Sequence, residues 1–502
     1  MKAAMKFVFP WSLLVLLAIG LCCQRPDIGN PEEIHRLPRI EPDYTEIIIP
    51  PNIAPLNFVV QEKAVQYQVE IKCPAGEPIS IFSAKAEISI PLESWKDLLA
   101  RNKGAEIHFV ITVQDSQHNW QRFDPIRNQI AREEIDPYLV YRLMPPLYIF
   151  WKKMGIYQRN IENFDVKQIL SSKSLNDGCF NCHSFLNNSP DNWMVHLRIA
   201  PATGMLLTTA GNTVLVKTQT EFNRAPAGHP AWHPGGKYLA FSVYKVRQFF
   251  HAEGVNRDVL DFVSHLILYK VESNIITTCQ SISDTNRFET YPAWSPDGNW
   301  LYFCSTPRFD TLNVLKDHNY KNVKYDLMRV EFDQQTATFG KLDTFLSSAQ
   351  TGMSITFPRF SPDGRYLLFC MSPYGNFPLA RSGGHLYTVD MQTEQVRKLE
   401  CNSERSDSYH SWSSNGRWFV FSSRRDDGIS ARPYFTYFDE QGKTSKAFVL
   451  PQEDPTFYES ELQTFNIPEL INGPIRERPQ ELLKVARQTE RMVKAKFVPS
   501  GE

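Results

Sequence analysis

Short apolar stretches alternate with polar residues along most of this chain, with a period of two. Between residues 41 and about 125 the alternation runs through Glu46-Ile-Ile-Ile49, Tyr67-Gln-Val-Glu-Ile71, Ala86-Glu-Ile-Ser-Ile90 and Glu106-Ile-His-Phe-Val-Ile-Thr-Val113. Alternate side chains of such runs share one face of a strand, and several of them separated by turn residues predict a small β-sandwich-like domain over 41–134. From Ile135 the spacing changes. Tyr138, Val140, Tyr141 and Met144, then Trp151, Met154, Ile156 and Tyr157, fit one face of a helix, and they predict a short helical connector over 135–194. Period two then returns and holds to about residue 450. A basic stretch, Gln480 to Lys496, predicts a helical tail within 471–502.

The second half repeats itself. His229-Pro-Ala-Trp-His-Pro-Gly-Gly-Lys-Tyr-Leu-Ala-Phe-Ser242 aligns with the stretches beginning at Tyr291, Phe357 and Tyr409, each a short strand, a tight turn and a second strand. Proline presets φ at the first corner of the turn, and Asp-Gly or Asn-Gly supplies the positive-φ corner. The equivalent aromatics Trp232, Trp294, Phe360 and Trp412 lie farther apart than the 40–45 residues or so of a minimal four-stranded blade. The blades therefore carry insertions, most plainly Arg247 to Val263 and Pro307 to Val323. These repeats resemble those of TolB-like β-propellers, which implies a mainly β fold with a C-terminal propeller over 195–470. A weaker copy around Met205-Leu-Leu-Thr-Thr and Thr213-Val-Leu-Val-Lys, closed by Tyr434-Phe-Thr-Tyr-Phe438, brings the expected count to five or six blades.

Composition narrows the function classes. Lys+Arg and Asp+Glu nearly cancel, 54 against 55 in 502 residues, so no chain-wide charge favours a nucleic acid or an anionic membrane. Lys2 and Lys6 precede an apolar run from Phe7 to Leu21, the pattern of an export signal over 1–23. The run ends at Leu21-Cys22-Cys23. Cys22 or Cys23 is a candidate lipidation site, although Gly, Ala or Ser is usual before an acylated cysteine; the alternatives are a lipid-anchored outer-membrane protein and a soluble periplasmic one. The nine cysteines do not read as a disulfide framework. Cys304 and Cys370 occupy the same position of a repeated strand and read as small apolar packing residues. Cys73, Cys279 and Cys401 have no identifiable partner.

The chemistry concentrates in Asp177-Gly-Cys-Phe-Asn-Cys-His-Ser-Phe185. A Cys-x-x-Cys-His run is the attachment signature of a c-type haem: two thioethers from Cys179 and Cys182, and His183 as axial ligand. One such haem is the expected cofactor. Candidates for a second axial ligand are His196, the first choice, and Met194 or Met205; chain reach excludes none of them. Arg198 is a candidate cation for a haem propionate. The competing readings are a Cys179–Cys182 disulfide or redox pair, and a zinc site, which lacks a second ligand pair at finger spacing. Arg424 and Asp426 are candidate channel ligands or turn-stabilising ions. His233 and His410 are not equivalently placed, so no symmetric metal ring is expected. Neither a Gly-x-Ser-x-Gly elbow nor a His-Glu-x-x-His is present.

The arrangement as a whole resembles a group of exported Bacteroidetes proteins that join a TolB-like propeller to an N-terminal β domain through a Cys-x-x-Cys-His segment. The matching residues are Met154-Gly-Ile-Tyr-Gln-Arg-Asn-Ile-Glu-Asn-Phe164, the attachment segment, Ser408 to Trp418 and Phe465-Asn-Ile-Pro-Glu469. The expected function is a haem protein of electron transfer or redox sensing whose propeller binds a redox partner, another protein or a glycan. A haem-free binding or assembly module and a haem peroxidase-like enzyme are the alternatives.

Overall fold

A computed structural model of the chain describes residues 28–145, 153–200, 202–225, 227–249, 258–310 and 313–499. The proposed export signal, Cys22 and Cys23 lie outside them. No helix among the described residues is long and apolar enough to cross a membrane.

The described residues form six four-stranded antiparallel sheets, two of them extended by a fifth strand, in addition to the N-terminal domain. Their inner strands touch one another in a closed ring, the arrangement of a six-bladed propeller. Blade 1 holds Tyr138–Met144, Gly155–Asn160 and Val166–Ser171, and its innermost strand, Thr464–Ile471, comes from the far end of the chain. The ring is thus closed by pairing the last propeller strand with the first. Tyr434 to Phe438, expected to close it, instead supplies the third strand of blade 6, Arg432–Tyr437.

Blade 1 corrects the expected helical connector. Tyr138–Met144 lies between Gly155–Asn160 and Thr464–Ile471 and is buried on both faces, at Leu139, Val140, Tyr141 and Arg142 in succession. A strand buried on both faces loses its polar alternation, and its apolar run cannot be told from helix by period alone.

Blade 2 begins with the attachment segment as its innermost strand, Cys179–Phe185, followed by Trp193–Arg198, Gly204–Thr209 and Asn212–Lys217. Blades 3 to 6 open with Ala227–Trp232, Arg287–Trp294, Ser354–Phe360 and Asp407–Trp412. Within the expected 247–263 insertion, Tyr238–Phe249 and Asp258–Lys270 continue their antiparallel pairing as far as Phe249 and Asp258. The expected helical tail is only partly helical. Pro479–Arg487 forms a helix, and beyond it Val493–Lys494 and Lys496–Phe497 add parallel strands to the outer edges of blades 2 and 3, which blunts two exposed edges.

The repeat turns behave as their residues dictate. In Ser295-Pro-Asp-Gly298 the Ser295 hydroxyl donates to Asp297 Oδ1 (2.5 Å), which also accepts the Asn299 N–H (3.0 Å), while Gly298 takes φ +74°. A Cβ at Gly298 would lie 2.4 Å from His233 Nε2, so both the turn and its neighbour require glycine.

The N-terminal domain has a seven-stranded sheet and a three-stranded sheet, with helix Leu92–Arg101 burying Trp95, Leu98 and Leu99. It is fastened to blade 6. Trp418 Nε1 donates to Glu133 O (3.0 Å), and Ser414 donates to the Asp136 carboxylate through its N–H (2.7 Å) and its hydroxyl (2.5 Å). One hydrophobic core runs from Ile49, Trp95 and Phe109 into Trp412, Phe419 and Phe435, so the two parts are joined by packing as well as polar contacts.

Candidate functional site

Six non-glycine residues share a feature that sets the geometry of the channel. Cys182, His229, Tyr291, Phe357, Tyr409 and Ile467 each take φ between +45° and +54°, one on the innermost strand of each blade. Each coincides with a register shift in that strand's pairing, the mark of a β-bulge, which re-aims a side chain at the cost of local strain. The bulged residues border the axial channel. The residues that follow them also correspond: His183 stands where the other blades have Pro230, Pro292, Pro358, His410 and Pro468. Next come Ser184, Ala231, Ala293, Arg359, Ser411 and Glu469, and then Phe185, Trp232, Trp294, Phe360, Trp412 and Leu470. Cys182-His183-Ser184-Phe185 is therefore a further copy of the blade repeat, unrecognised in the sequence because its proline and its Pro-Asp-Gly turn are missing.

At one end of the channel lies a cavity of about 250 Å³, and at the other, past Phe185, Trp232, Trp294, Phe360 and Trp412, one of about 390 Å³. Cys179, Asn181 and Cys182 line one wall of the first, Arg142 and Arg198 flank them, and His229, Tyr244 and Tyr409 face them. Met144, Met154, Val246, Val259 and Phe377 make most of the remainder apolar, with Asn466 the polar exception. Cys182, His229, Tyr409 and Ile467 also border a tighter inner compartment of about 40 Å³, which His183 and His410 line. The two cysteines and the histidine of the Cys-x-x-Cys-His run thus abut two adjoining compartments: Cys179 the outer, His183 the inner and Cys182 both. Cys179 and Cys182 are free thiols.

Burial and positive charge dominate the electrostatics. Burial, reinforced by the Arg142 charge, pushes the His183 pKa down to about 3. Neither His183 ring nitrogen makes a hydrogen bond of ordinary geometry, although the Val140 and Ile467 carbonyls lie near enough to oppose the shift. His229 is also held near 3, by burial and then by Arg198 and Arg142. Burial raises the Cys182 thiol, so Cys182 is not a thiolate in this structure.

The register separates the remaining candidates. His196 pairs with Asn181 and Met205, and it packs edge-on against Phe241 of blade 3 (5.1 Å). Met194 and Met205 belong to the same core between blades 2 and 3. His183 pairs with Val195, one residue along, and so lies on the opposite face of the sheet, toward blade 1. The structure therefore does not bring His183 together with His196, Met194 or Met205, and none of those three borders the channel cavities. Arg198 does border the outer one. Asp426 pairs with Arg432 (2.9 Å) and accepts the Tyr434 hydroxyl (2.6 Å). His233 Nε2 meets Gly298 O, and His410 Nε2 meets Leu368 O, each at 3.1 Å. No cluster of three or more His, Cys, Asp or Glu among the described residues is arranged to hold a metal ion.

Sequence reasoning missed Arg142, His229 and Tyr244. The first sits in the stretch read as helix. His229 begins the first recognised repeat, and alignment with Cys182-His183 would have placed it on the channel. The Tyr244 ring needs the missing Cβ of Gly228, since a Cβ there would lie 2.6 Å from its Cε1.

No protein-family model and no curated protein matches the chain. Among solved structures it is similar to TolB from Acinetobacter baumannii, at 14% identity and a TM-score of 0.42 over 76% of this chain and 85% of that one. It is also similar to Kuenenia stuttgartiensis hydrazine synthase, at 11% identity and a TM-score of 0.41 over 68% of this chain and 48% of that one. A chain of the nidogen/laminin complex aligns at 8% identity and a TM-score of 0.36, over 67% and 99%. At these identities the likeness is one of fold alone.

Proposed function

We propose that this chain is an exported c-type haem protein, with one haem held through Cys179 and Cys182 at their end of the propeller channel, acting in electron transfer or redox sensing while the propeller engages a partner. The observation that carries this reading is that two unbridged thiols of a Cys-x-x-Cys-His share one cavity with two arginines and an apolar wall. A buried imidazole with no ordinary hydrogen bond lines the adjoining compartment. Thiols for covalent attachment, an imidazole for the iron and guanidiniums for carboxylates form the donor set a porphyrin requires. Bound there, the haem supplies a one-electron couple whose potential depends on ligation and burial.

A second reading, a haem-free binding module, has its own support. Cys182 and His183 occupy positions that every blade repeats as part of its inner-strand bulge, so both have a structural role without a cofactor, and the cavity's 250 Å³ falls below the ~300 Å³ at which ligand pockets usually begin. The two readings part on a denaturing gel stained for haem peroxidase activity. Protein matured in a periplasm is expected to stain, and the Cys179→Ala/Cys182→Ala protein is not; equal staining of both, or of neither, rejects the haem.

The cavity also predicts which imidazole matters. His229 borders both compartments and His196 neither. His229→Ala is expected to shift the absorption bands of the matured protein, whereas His196→Ala leaves them in place; the reverse pattern would return His196 to the role the sequence suggested.

A further inference from the structure

Arg142 is a buried cation and Arg198 a partly buried one, and the described residues that line their cavity provide neither with an anion. Arg142 is 7% exposed. Its Nη1 donates to Phe180 O (3.2 Å) and to Asn181 Oδ1, and its Nε has no partner. Arg198 lies over the Tyr244 ring at 5.1 Å and near enough to its hydroxyl to be stabilised by it, while its buried Nε and Nη2 make no hydrogen bond of ordinary geometry among the described residues. No Asp or Glu lines the cavity among the described residues. Partly buried Arg425 pairs with Asp407 (3.0 Å) and Arg432 with Asp426 (2.9 Å). Buried Arg159 instead directs its donors at the carbonyls of Asn160, Asn163 and Pro451, its Nε left without a partner like that of Arg142, but it does not share its site with a second guanidinium on a cavity. Two guanidiniums held on one cavity with no carboxylate among the described residues mark a place where an anion arriving from outside would be paired.

The pair is built rather than incidental. Asn181 accepts from Arg142 and donates through Nδ2 to the Tyr244 hydroxyl (2.7 Å), so one amide fixes both the first arginine and the ring beneath the second. Tyr244 in turn stacks against His229 at 4.8 Å.

We propose that Arg142 and Arg198 form a carboxylate-binding subsite for a ligand with an apolar body, which Met144, Met154, Val246, Val259 and Phe377 would cover. This inference does not rest on the haem reading. The carboxylate is a porphyrin propionate if haem is attached and belongs to a free apolar acid if it is not; the chemistry recognised is the same.

Octanoate and octanol are suitable probes, titrated by calorimetry into two preparations of the full mature chain: one made in a cytoplasm, where no haem is attached, and one matured in a periplasm. Octanoate is expected to bind the haem-free chain at least about tenfold more tightly than octanol, and Arg198→Gln to weaken it by a similar factor, as expected for loss of a charge-assisted hydrogen bond. Arg198 is only partly buried, so this variant should fold; Arg142→Gln provides the second arm. Loss of octanoate binding in a haem-loaded preparation assigns the subsite to the porphyrin's own carboxylates. Retained binding in a matured but haem-free preparation assigns it to a free acid. Equal affinity for octanol and octanoate, no binding of octanoate to the haem-free chain, or indifference to both arginine substitutions would overturn the subsite.

Discussion

Asp261→Asn is expected to reverse the sign of its effect on stability between pH 5 and pH 8. The Asp261 side chain is 1% exposed and accepts from the Tyr325 hydroxyl (3.2 Å) and Asn376 Nδ2 (2.5 Å). Burial, opposed by those two hydrogen bonds, raises its pKa to about 7. Glu289, on the inner strand of blade 4, is pushed to about 8 chiefly by burial, and its Oε2 has no partner. Between the unfolded carboxylate range near pH 4 and these folded values, the native state holds a proton that the unfolded chain has released. Stability therefore falls as pH rises, by about 1.4 kcal/mol per unit for each group. The contribution is whole below about pH 4 and lost by pH 7 to 8. Buried imidazoles act oppositely: His183, His196, His229 and His410, all held near 3 by burial first, lose stability as pH falls below about 6.5, where the unfolded chain protonates. Urea midpoints of wild type and variant at pH 5 and 8 isolate the aspartate. The variant should be equal or weaker at pH 5 and should gain about 3 kcal/mol relative to wild type by pH 8. Parallel profiles would mean that Asp261 is ionised throughout.

The second large effect concerns the joint between the N-terminal domain and the propeller. The Trp418 side chain is fully buried in blade 6, packs edge-on against Tyr437 (5.1 Å) and donates to Glu133 O of the N-terminal segment. Trp418→Ala removes the largest packing residue of this joint and leaves a carbonyl without its donor, a loss of about 3–5 kcal/mol. Trp418→Phe retains most of the packing and should cost much less. Denaturant unfolding followed by near-ultraviolet circular dichroism would show both. An Ala variant within about 0.5 kcal/mol of wild type, as for an ordinary surface change, would mean that the joint does not depend on this side chain.

What the sequence made legible follows from where its local chemistry is strong. The four recognised repeats carry Pro-Gly-Gly, Pro-Asp-Gly or Asn-Gly turns, whose backbone demands are written in residue type, and each begins a blade. Cys304 and Cys370, read as packing residues, are both fully buried in second strands. Blade 1 was obscured because Tyr138–Met144 is apolar on both faces and its inner partner, Thr464–Ile471, lies over 300 residues away. The attachment strand escaped recognition as a blade strand because His183 replaces the repeat proline and Asn187 and Asn188, rather than Pro-Asp-Gly, lead into its turn. At the site, Cys179, Cys182 and His183 could be named from spacing, but the faces of the sheet could not. A strand alternates its side chains, and one bulge at Cys182 shifts that alternation, so the positions of His183 and His196 could be assigned only once the register was known. Arg142 and His229 reach the cavity from other blades, and proximity of that kind leaves no trace in local sequence.

The haem reading depends on whether a porphyrin is covalently attached at Cys179 and Cys182, and the mass of the intact protein decides it. Protein exported and processed in a host that matures c-type cytochromes should weigh one haem more than its polypeptide and any attached lipid, with the added mass on the peptide containing Cys179 and Cys182. A mass equal to polypeptide plus lipid, from a host shown to mature a control cytochrome, would contradict the account.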